Sequence, residues 1–588
     1  MAGQSTPPQD PDEQRPDEQR PEQQAEDQHA EDQHAEHVAA VAAGYGFAGP
    51  ALELGALLVD DGGTPSPRPQ AQVRIPLAML NRHGLVAGAT GTGKTKTLQV
   101  MAEQLSAQGV PVFLADIKGD LSGVAVPGTA SDALRARAGG IGQDWVPTAF
   151  PTEFLALGGL EAGVPVRASI SSFGPDLLAK VLDLNDTQTS SLALVFHHAD
   201  RAGLPLLDLA DLRAVVQHLT SPEGKADLAG LGGLSKATAG VILRELVVFA
   251  ESGADAFFGE PELDPADLLR TTADGRGVVT CLELAQVQDR PALFSTFLLW
   301  LLAELFEGLP EVGDLDRPKL VFFFDEAHLL FADAPKAFVQ KVVQTVRLIR
   351  SKGVGIVFVT QTPKDVPGDV LAQLGNRVQH ALRAYTPDDA KALKATVSTF
   401  PTSGYDLGAL LISLGIGEAV VTVLSERGAP TPVAWTMLRA PQASMSPAPP
   451  EHVAATVAAS ALQARYGVEV DRESAYEMLS ARLGSGPRSR VDGPEPAGDR
   501  GPDAPVPADG LPGPGQTWDD LPPERTTPGP TTPAPRRRSA SRRPEPQPTG
   551  AVGEVLASPA VKSFLRSAGT VLGREITRGL FGTARRRR

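Results

Sequence analysis

Gly88-Ala89-Thr90-Gly91-Thr92-Gly93-Lys94-Thr95 satisfies the phosphate-cradling pattern G-x-x-x-x-G-K-[S/T] at every fixed position. The apolar run Gly84-Leu85-Val86-Ala87 leads into it as a buried strand would, and Lys96 to Leu105 leaves it with helical character. In that order, glycines let the backbone wrap an anion, and the N–H groups opening the helix face it. Lys94 is then placed to reach the β- and γ-phosphates of a nucleoside triphosphate, and the Thr95 hydroxyl to hold Mg²⁺. Gly88, Ala89, Thr90, Gly91, Thr92, Gly93 and Lys96 complete the expected nucleotide-binding set. The plainer alternative is a Gly-rich turn with no ligand; the strand before it and the helix after it favour the nucleotide.

Outward from this motif, three more apolar runs read as strands: Pro111-Val112-Phe113-Leu114-Ala115, Leu320-Val321-Phe322-Phe323-Phe324 and Gly355-Ile356-Val357-Phe358-Val359. Each ends in polar residues, which suits parallel strands buried on both faces with ligand groups at their C-terminal ends. Between the last two runs, residues 338–350 carry an amphipathic helical pattern. Strand–helix–strand alternation predicts an α/β fold with a parallel sheet.

The run 320–324 ends in Asp325-Glu326, a pair of carboxylates that completes the chemistry. Asp325 is assigned to Mg²⁺ and Glu326 to the general base that polarises the attacking water. A strand-end pair that only caps the next helix is the alternative. Asp325-Glu326-Ala327-His328 also spells a motif known from a different group of proteins, whose remaining motifs are not evident here. Gln361, at a strand tip, is a candidate to hold the attacking water or sense the γ-phosphate, against a plain loop glutamine. Arg377, with Arg383 nearby, is a candidate to stabilise transition-state charge in a neighbouring subunit, against a structural ion pair. The loop Asp116-Ile117-Lys118-Gly119-Asp120-Leu121-Ser122-Gly123 is expected beside the phosphate loop, contacting nucleotide, metal or a neighbouring subunit, or forming only a polar turn.

Composition divides the 588 residues. Residues 1–37 hold 11 acidic and 2 basic residues in low-complexity repeats, so 1–43 is expected to be a disordered acidic tail in which His29, His34 and His37 build no metal site. Residues 131–275 read as an inserted helical subdomain and 441–483 as a helical appendage to a core spanning 44–440. A Pro/Gly/Arg-rich linker follows over 484–550, and 551–588 read as a basic amphipathic helix. The net charge of −16 leaves −13 on residues 38–483, an unusual balance for a protein whose footprint meets nucleic acid. The lone Cys281 excludes internal disulfides and fits a reducing, cytoplasmic setting. The apolar stretch 291–306 is short for a membrane span and carries Glu304, so it reads as a buried core helix.

Taken together, GATGTGKTKTLQ at 88–99, ADIKGDLSG at 115–123, STFLLWLLAELFE at 295–307, KLVFFFDEAHLLF at 319–331, VTQTPKDVP at 359–367, LGNRVQHALRAYTPDD at 374–389 and GREITRGLFG at 573–582 resemble the HerA/FtsK superfamily of hexameric ATP-driven pumps. Within it they are similar to the bacterial HerA-like helicase C-terminal-domain ATPases of the YjgR type. The resemblance implies a RecA-like core with an additional strand hosting the catalytic Glu, and ATP hydrolysis. It further implies a homo-oligomer, most simply a hexamer, and, by analogy, DNA translocation. Relatives in the superfamily move protein or conjugative DNA, so a protein-remodelling or membrane-associated motor is the alternative, with membrane contact through the C-terminal helix. HerA itself carries an N-terminal β-barrel that docks a nuclease. Only 87 residues precede Gly88 here, so a nuclease partner is not implied.

Overall fold

The computed structural model describes residues 34–228, 232–313, 315–331 and 336–484. The acidic repeats before residue 34, the linker after 484 and the predicted C-terminal helix lie outside the described residues.

Twelve strands form one sheet: β1 (Ala51–Asp60), β2 (Pro65–Pro76), β3 (Gly84–Ala87), β4 (Val112–Asp116), β5 (Thr152–Leu157), β6 (Val164–Val166), β7 (Val279–Glu283), β8 (Leu320–Phe324), β9 (Val354–Thr360), β10 (Asn376–Gln379), β11 (Glu418–Thr422) and β12 (Ala434–Leu438). Their order is β2-β1-β12-β11-β10-β3-β9-β8-β4-β7-β5-β6. From β10 to β6 all neighbours are parallel, whereas β11, β12, β1 and β2 add an antiparallel flank. The sheet is therefore mixed, with its parallel part where the sequence predicts it. Every residue of β3, β4, β7, β8 and β9 is buried, as strands covered by helices on both faces require.

Helix α1 (Lys94–Ala107) covers one face. On the other face, α2 (Ile170–Val181), α3 (Asp186–Ala202), α4 (Leu209–Thr220) and α5 (Lys236–Glu251) form the inserted helical region. That region starts later than residue 131, because β5 and β6 join the main sheet; β6 has three residues and little periodicity to read. Helix α6 (Pro291–Gly308) is a core helix: Phe294, Phe297, Trp300 and Leu301 are fully buried, and Glu304, half buried, is pushed up to about 7 by burial. Among the described residues no helix is long and apolar enough to cross a membrane. The amphipathic stretch predicted over 338–350 forms α7 (Lys336–Ile349).

Three helices, Pro450–Ala459, Ala461–Tyr466 and Ala475–Gly484, follow the sheet, and their segment is locked to the inserted helices. Asp211 of α4, almost fully buried, accepts hydrogen bonds from Leu207 N (2.8 Å), Tyr476 N (2.8 Å) and Ser474 Oγ (2.5 Å). Loss of such a buried acceptor leaves several donors unsatisfied at once.

Ordered structure begins earlier than Gly44. Residues 34–44 are helical, Val41 and Tyr45 are fully buried, and the Tyr45 hydroxyl lies 3.1 Å from Val421 O and 2.9 Å from Pro432 O. His37 lies 2.8 Å from the Tyr405 hydroxyl through Nε2. The end of the repeats is not the end of the tail's composition, and only Val38, Val41 and Tyr45 mark the change. Removing residues through Tyr45 should therefore destabilise the core by about 3 kcal/mol or more. Chemical denaturation of the two truncations, after residue 33 and after residue 45, measures this; equal midpoints would contradict it.

His83 pins β3 to its neighbours. Its Nδ1 accepts from Ile356 N (3.0 Å), so Nε2–H donates to Val346 O (2.7 Å), and burial holds the imidazole neutral, down to about 4. The P-loop strand is thus fixed at its start by a side chain that cannot carry charge without breaking a hydrogen bond.

Candidate nucleotide site

The site lies at the C-terminal ends of the parallel strands. Between β3 and α1 the loop 88–93 turns through Gly91 (φ +79°) and Gly93 (φ +109°), conformations that favour glycine. Neighbouring strands tie the loop down: Gly88 N donates to Thr360 O at 3.2 Å, Ala89 N to Ala381 O at 2.8 Å, and Gly417 N to Thr92 O at 3.0 Å. Lys94 opens α1, largely buried, with its ammonium 3.2 Å from Ala89 O. Burial lowers the Lys94 ammonium, Lys118 lowers it further, and Glu326 and Asp325 oppose both. That coupling brings Lys94, Lys118, Asp325 and Glu326 into one electrostatic cluster. Thr95, partly buried, follows Lys94 in the first turn of α1. The side chain of Lys96 turns away instead, its Nζ 2.6 Å from Met445 O, so only its backbone stays with the loop.

A histidine that sequence reasoning missed supports the loop from below. His380, fully buried just past β10, donates from Nδ1 to Thr92 O (3.1 Å), and its Nε2 lies 3.0 Å from Thr97 Oγ1. Burial, reinforced by Lys94, pushes it down to about 3, so it is neutral. A Cβ at Gly88 would stand 2.5 Å from His380 Cβ, which is why glycine is needed there. No pattern in the sequence marks His380, because its role depends on the parallel pairing of β10 with β3.

Asp325 and Glu326 follow β8, two strands from β3, and β9 lies between them. The additional strand is thus β9, and it carries Gln361 beyond its tip; the glutamate sits instead directly after Asp325. Asp325 Oδ1 accepts from Glu326 N (2.9 Å), whereas its Oδ2 is buried without a hydrogen-bond partner. Burial, and then Glu326, push Asp325 up to about 7. An orphaned, desolvated carboxylate oxygen beside the phosphate loop fits a site for Mg²⁺, with Thr95 as the hydroxyl partner.

Glu326 adopts φ +47°, a left-handed conformation uncommon for a residue with a side chain. Its side chain is nearly buried and forms an ion pair with Lys118 from the loop after β4, while Oε2 lies 3.2 Å from His328 Nδ1. Burial alone would raise Glu326, but Lys118 outweighs it and holds the carboxylate below its usual range. Burial likewise lowers Lys118 and Glu326 raises it, with the net shift upward. The loop carrying Lys118 is shaped by Asp116, whose carboxylate accepts from Gly119 N (2.7 Å) and Leu121 N (2.8 Å). The density of Asp, Lys and Gly in 116–123 signalled a site, but not that its lysine meets Glu326.

The remaining candidates separate. Gln361 is exposed at a turn that Asp365 fixes by accepting from Thr362 N (2.8 Å). Arg377 lies within β10, opposite Leu85 and Thr422, with its guanidinium 3.4 Å from Thr399 O. Arg383 is exposed beyond the end of β10, two residues after Ala381, whose carbonyl holds Ala89.

Strand, glycine-rich loop and Lys94-Thr95 at a helix start, with Asp325-Glu326 across the additional strand β9, define a P-loop nucleoside triphosphatase. The chain belongs to the helicase HerA-like C-terminal family, whose model matches residues 63–588. Among solved structures it is similar to the plasmid coupling protein TrwB in complex with the ATP analogue ADPNP, at 16% identity over 68% of this chain and 97% of that one, TM-score 0.45. TrwB in complex with ADP and Mg²⁺ aligns at 15% identity over 68% and 97%, TM-score 0.44. VirB4 of Thermoanaerobacter pseudethanolicus aligns at 15% identity over 67% and 97%, TM-score 0.42. No curated protein matches the chain.

The raised Asp325 has a measurable consequence. Its protonated form cannot ligate a cation, so a Mg²⁺ ion held by Asp325 would compete with the proton as pH falls through about 7. The half-saturating Mg²⁺ concentration should rise roughly tenfold from about pH 8 to about pH 6. A titration corrected for protonation of the nucleotide itself checks this, and a flat profile would show that Asp325 is ionised throughout or does not hold the metal.

Proposed function

We propose that this protein hydrolyses ATP in a Mg²⁺-dependent reaction and drives a ring-forming motor, most simply a hexamer, that acts on DNA as a translocase or helicase. The observation that carries the ATPase part is the coupled cluster of Lys94, Lys118, Asp325 and Glu326 around the phosphate loop. Bound Mg²⁺ would neutralise phosphate charge, with Thr95 and Asp325 as the residues to hold it. Lys94 and the N–H groups of residues 88–95 hold the phosphates. Glu326, kept anionic by Lys118, accepts a proton from the attacking water. Gln361 orients that water from the tip of β9. An arginine of the neighbouring subunit adds charge stabilisation, which makes hydrolysis depend on assembly.

DNA as the substrate rests on the family likeness. The net charge of −13 on residues 38–483 supports a second reading, a motor acting on proteins or at a membrane surface. Before the phosphate loop the chain forms a hairpin, β1–β2, within the main sheet, and no nuclease partner is proposed. The buried lone Cys281 suits a cytoplasmic protein. Steady-state ATPase rates with double-stranded DNA, single-stranded DNA or anionic liposomes distinguish the readings. Stimulation by either DNA supports the first; stimulation by liposomes alone, or by neither, removes DNA as the substrate.

A further inference from the structure

Away from the nucleotide site, three helices of the inserted region converge on a cluster that hydrolysis does not use. His198 belongs to α3, His218 to α4, and Asp227 ends the short helix Pro222–Asp227. One ligand atom from each lies within 4.8 Å of the others. His218 Nε2 is 3.1 Å from Asp227 Oδ2, and the two imidazole rings face one another with centroids 6.3 Å apart and planes 35° apart. Burial is graded from His198, which is buried, through His218 to Asp227, which is exposed, so the cluster opens to solvent on one side.

We propose that His198, His218 and Asp227 form a Zn²⁺ site that braces α3, α4 and the helix Pro222–Asp227 against one another. Two imidazole nitrogens and a carboxylate oxygen are ligands that zinc accepts, and three protein ligands with an open fourth position match a site completed by solvent. Bonds of about 2.0–2.1 Å in tetrahedral geometry set ligand atoms roughly 3.4 Å apart. The His218–Asp227 pair already stands near that separation, and the His198 ligand atom, within 4.8 Å of both, has little more than an ångström to close. Burial holds the His198 imidazole below its usual range, leaving a nitrogen lone pair available at neutral pH.

The local charges say which ligand matters most. Arg201 and Arg482 place positive potential on His198, and Asp227 opposes them. A dication entering this field needs the carboxylate, so Asp227→Asn is the most sensitive substitution. It is also mild, because the side chain is exposed.

Zinc content decides the matter. Full-length protein is incubated with zinc sulfate, freed of loose metal by gel filtration, and analysed by mass spectrometry for metal per chain. Wild type should retain about one equivalent more than His218→Gln or Asp227→Asn, with ATP hydrolysis in both variants unchanged as evidence that they fold. Histidines outside the cluster, such as His29, His34 and His37, are common to all three proteins and cancel in the difference. Zinc should also raise the Tm of wild type and not of Asp227→Asn. Equal zinc content in wild type and Asp227→Asn, or a wild type that retains none, would overturn the site. If His218→Gln fails to fold, Asp227→Asn alone carries the comparison.

Discussion

Glu326→Gln is expected to lower the rate of ATP hydrolysis by roughly 10²–10⁴-fold while ATP stays bound. That range corresponds to about 3–5 kcal/mol of lost transition-state stabilisation. Glutamine keeps the volume of the side chain, which is almost fully buried, and can still meet Lys118 through its carbonyl oxygen. What it loses is the basic oxygen that the proposed mechanism uses to take the proton from water. Lys94→Ala acts differently, since it removes the cation within the phosphate cradle, and it should abolish nucleotide binding or hydrolysis outright. Equilibrium binding of a labelled nucleotide beside single-turnover hydrolysis separates the two effects. Near-wild-type turnover by Glu326→Gln would remove it as the base. Lys118→Ala supplies an internal check: with its partner gone, Glu326 titrates higher, so the acid limb of the pH–rate profile should move to higher pH.

The parts of this site legible in the sequence are those whose meaning is local. Lys94, Thr95 and the glycines around them form one loop, and Asp325-Glu326 end a strand whose five residues are all apolar. The same holds for β3, β4, β8 and β9, which are apolar runs because helices cover both faces. Strand β7 carries Thr280 and Glu283 among its five residues, and β10 reads Asn-Arg-Val-Gln, so neither looks like a buried strand. Tertiary pairing overrides that composition: β7 lies between β4 and β5, and β10 beside the phosphate-loop strand. Roles that require two distant segments to meet could not be read, even where the loop itself, as at 116–123, was marked as a site. His380 beneath Thr92, Lys118 against Glu326, and Asp211 beneath Ser474 join residues separated by more than 200 positions. The early helix over 34–44 was hidden for a related reason, since its apolar residues number few and their partners come from β11 and the segment around Pro432.

Arg383→Ala is expected to reduce ATP hydrolysis by about 10³-fold or more with nucleotide binding retained, and Arg377→Ala to change it by a few-fold at most. The contrast comes from where the two side chains stand. Arg377 is half buried inside β10, and its guanidinium rests against Thr399 O, so reaching another subunit would mean leaving that contact. Burial holds the Arg377 guanidinium below its usual range while it stays charged, as expected of a group packed into the sheet flank. Arg383 is exposed at the carboxyl edge of the sheet, where nucleotide sites of parallel sheets lie. A cation presented there can stabilise charge on a γ-phosphoryl group bound by the next copy around a closed ring. Mixing tests the geometry directly. A subunit bearing Lys94→Ala keeps its arginine, and one bearing Arg383→Ala keeps its phosphate loop, so of the two mixed interfaces the one that sets that phosphate loop against that arginine assembles a complete site, and the other lacks both groups. The mixture should hydrolyse ATP faster than either variant alone, with the gain growing as subunits exchange. A protein that stays monomeric and fully active at every concentration, or a mixture no faster than its parts, would show that no arginine acts across a subunit boundary.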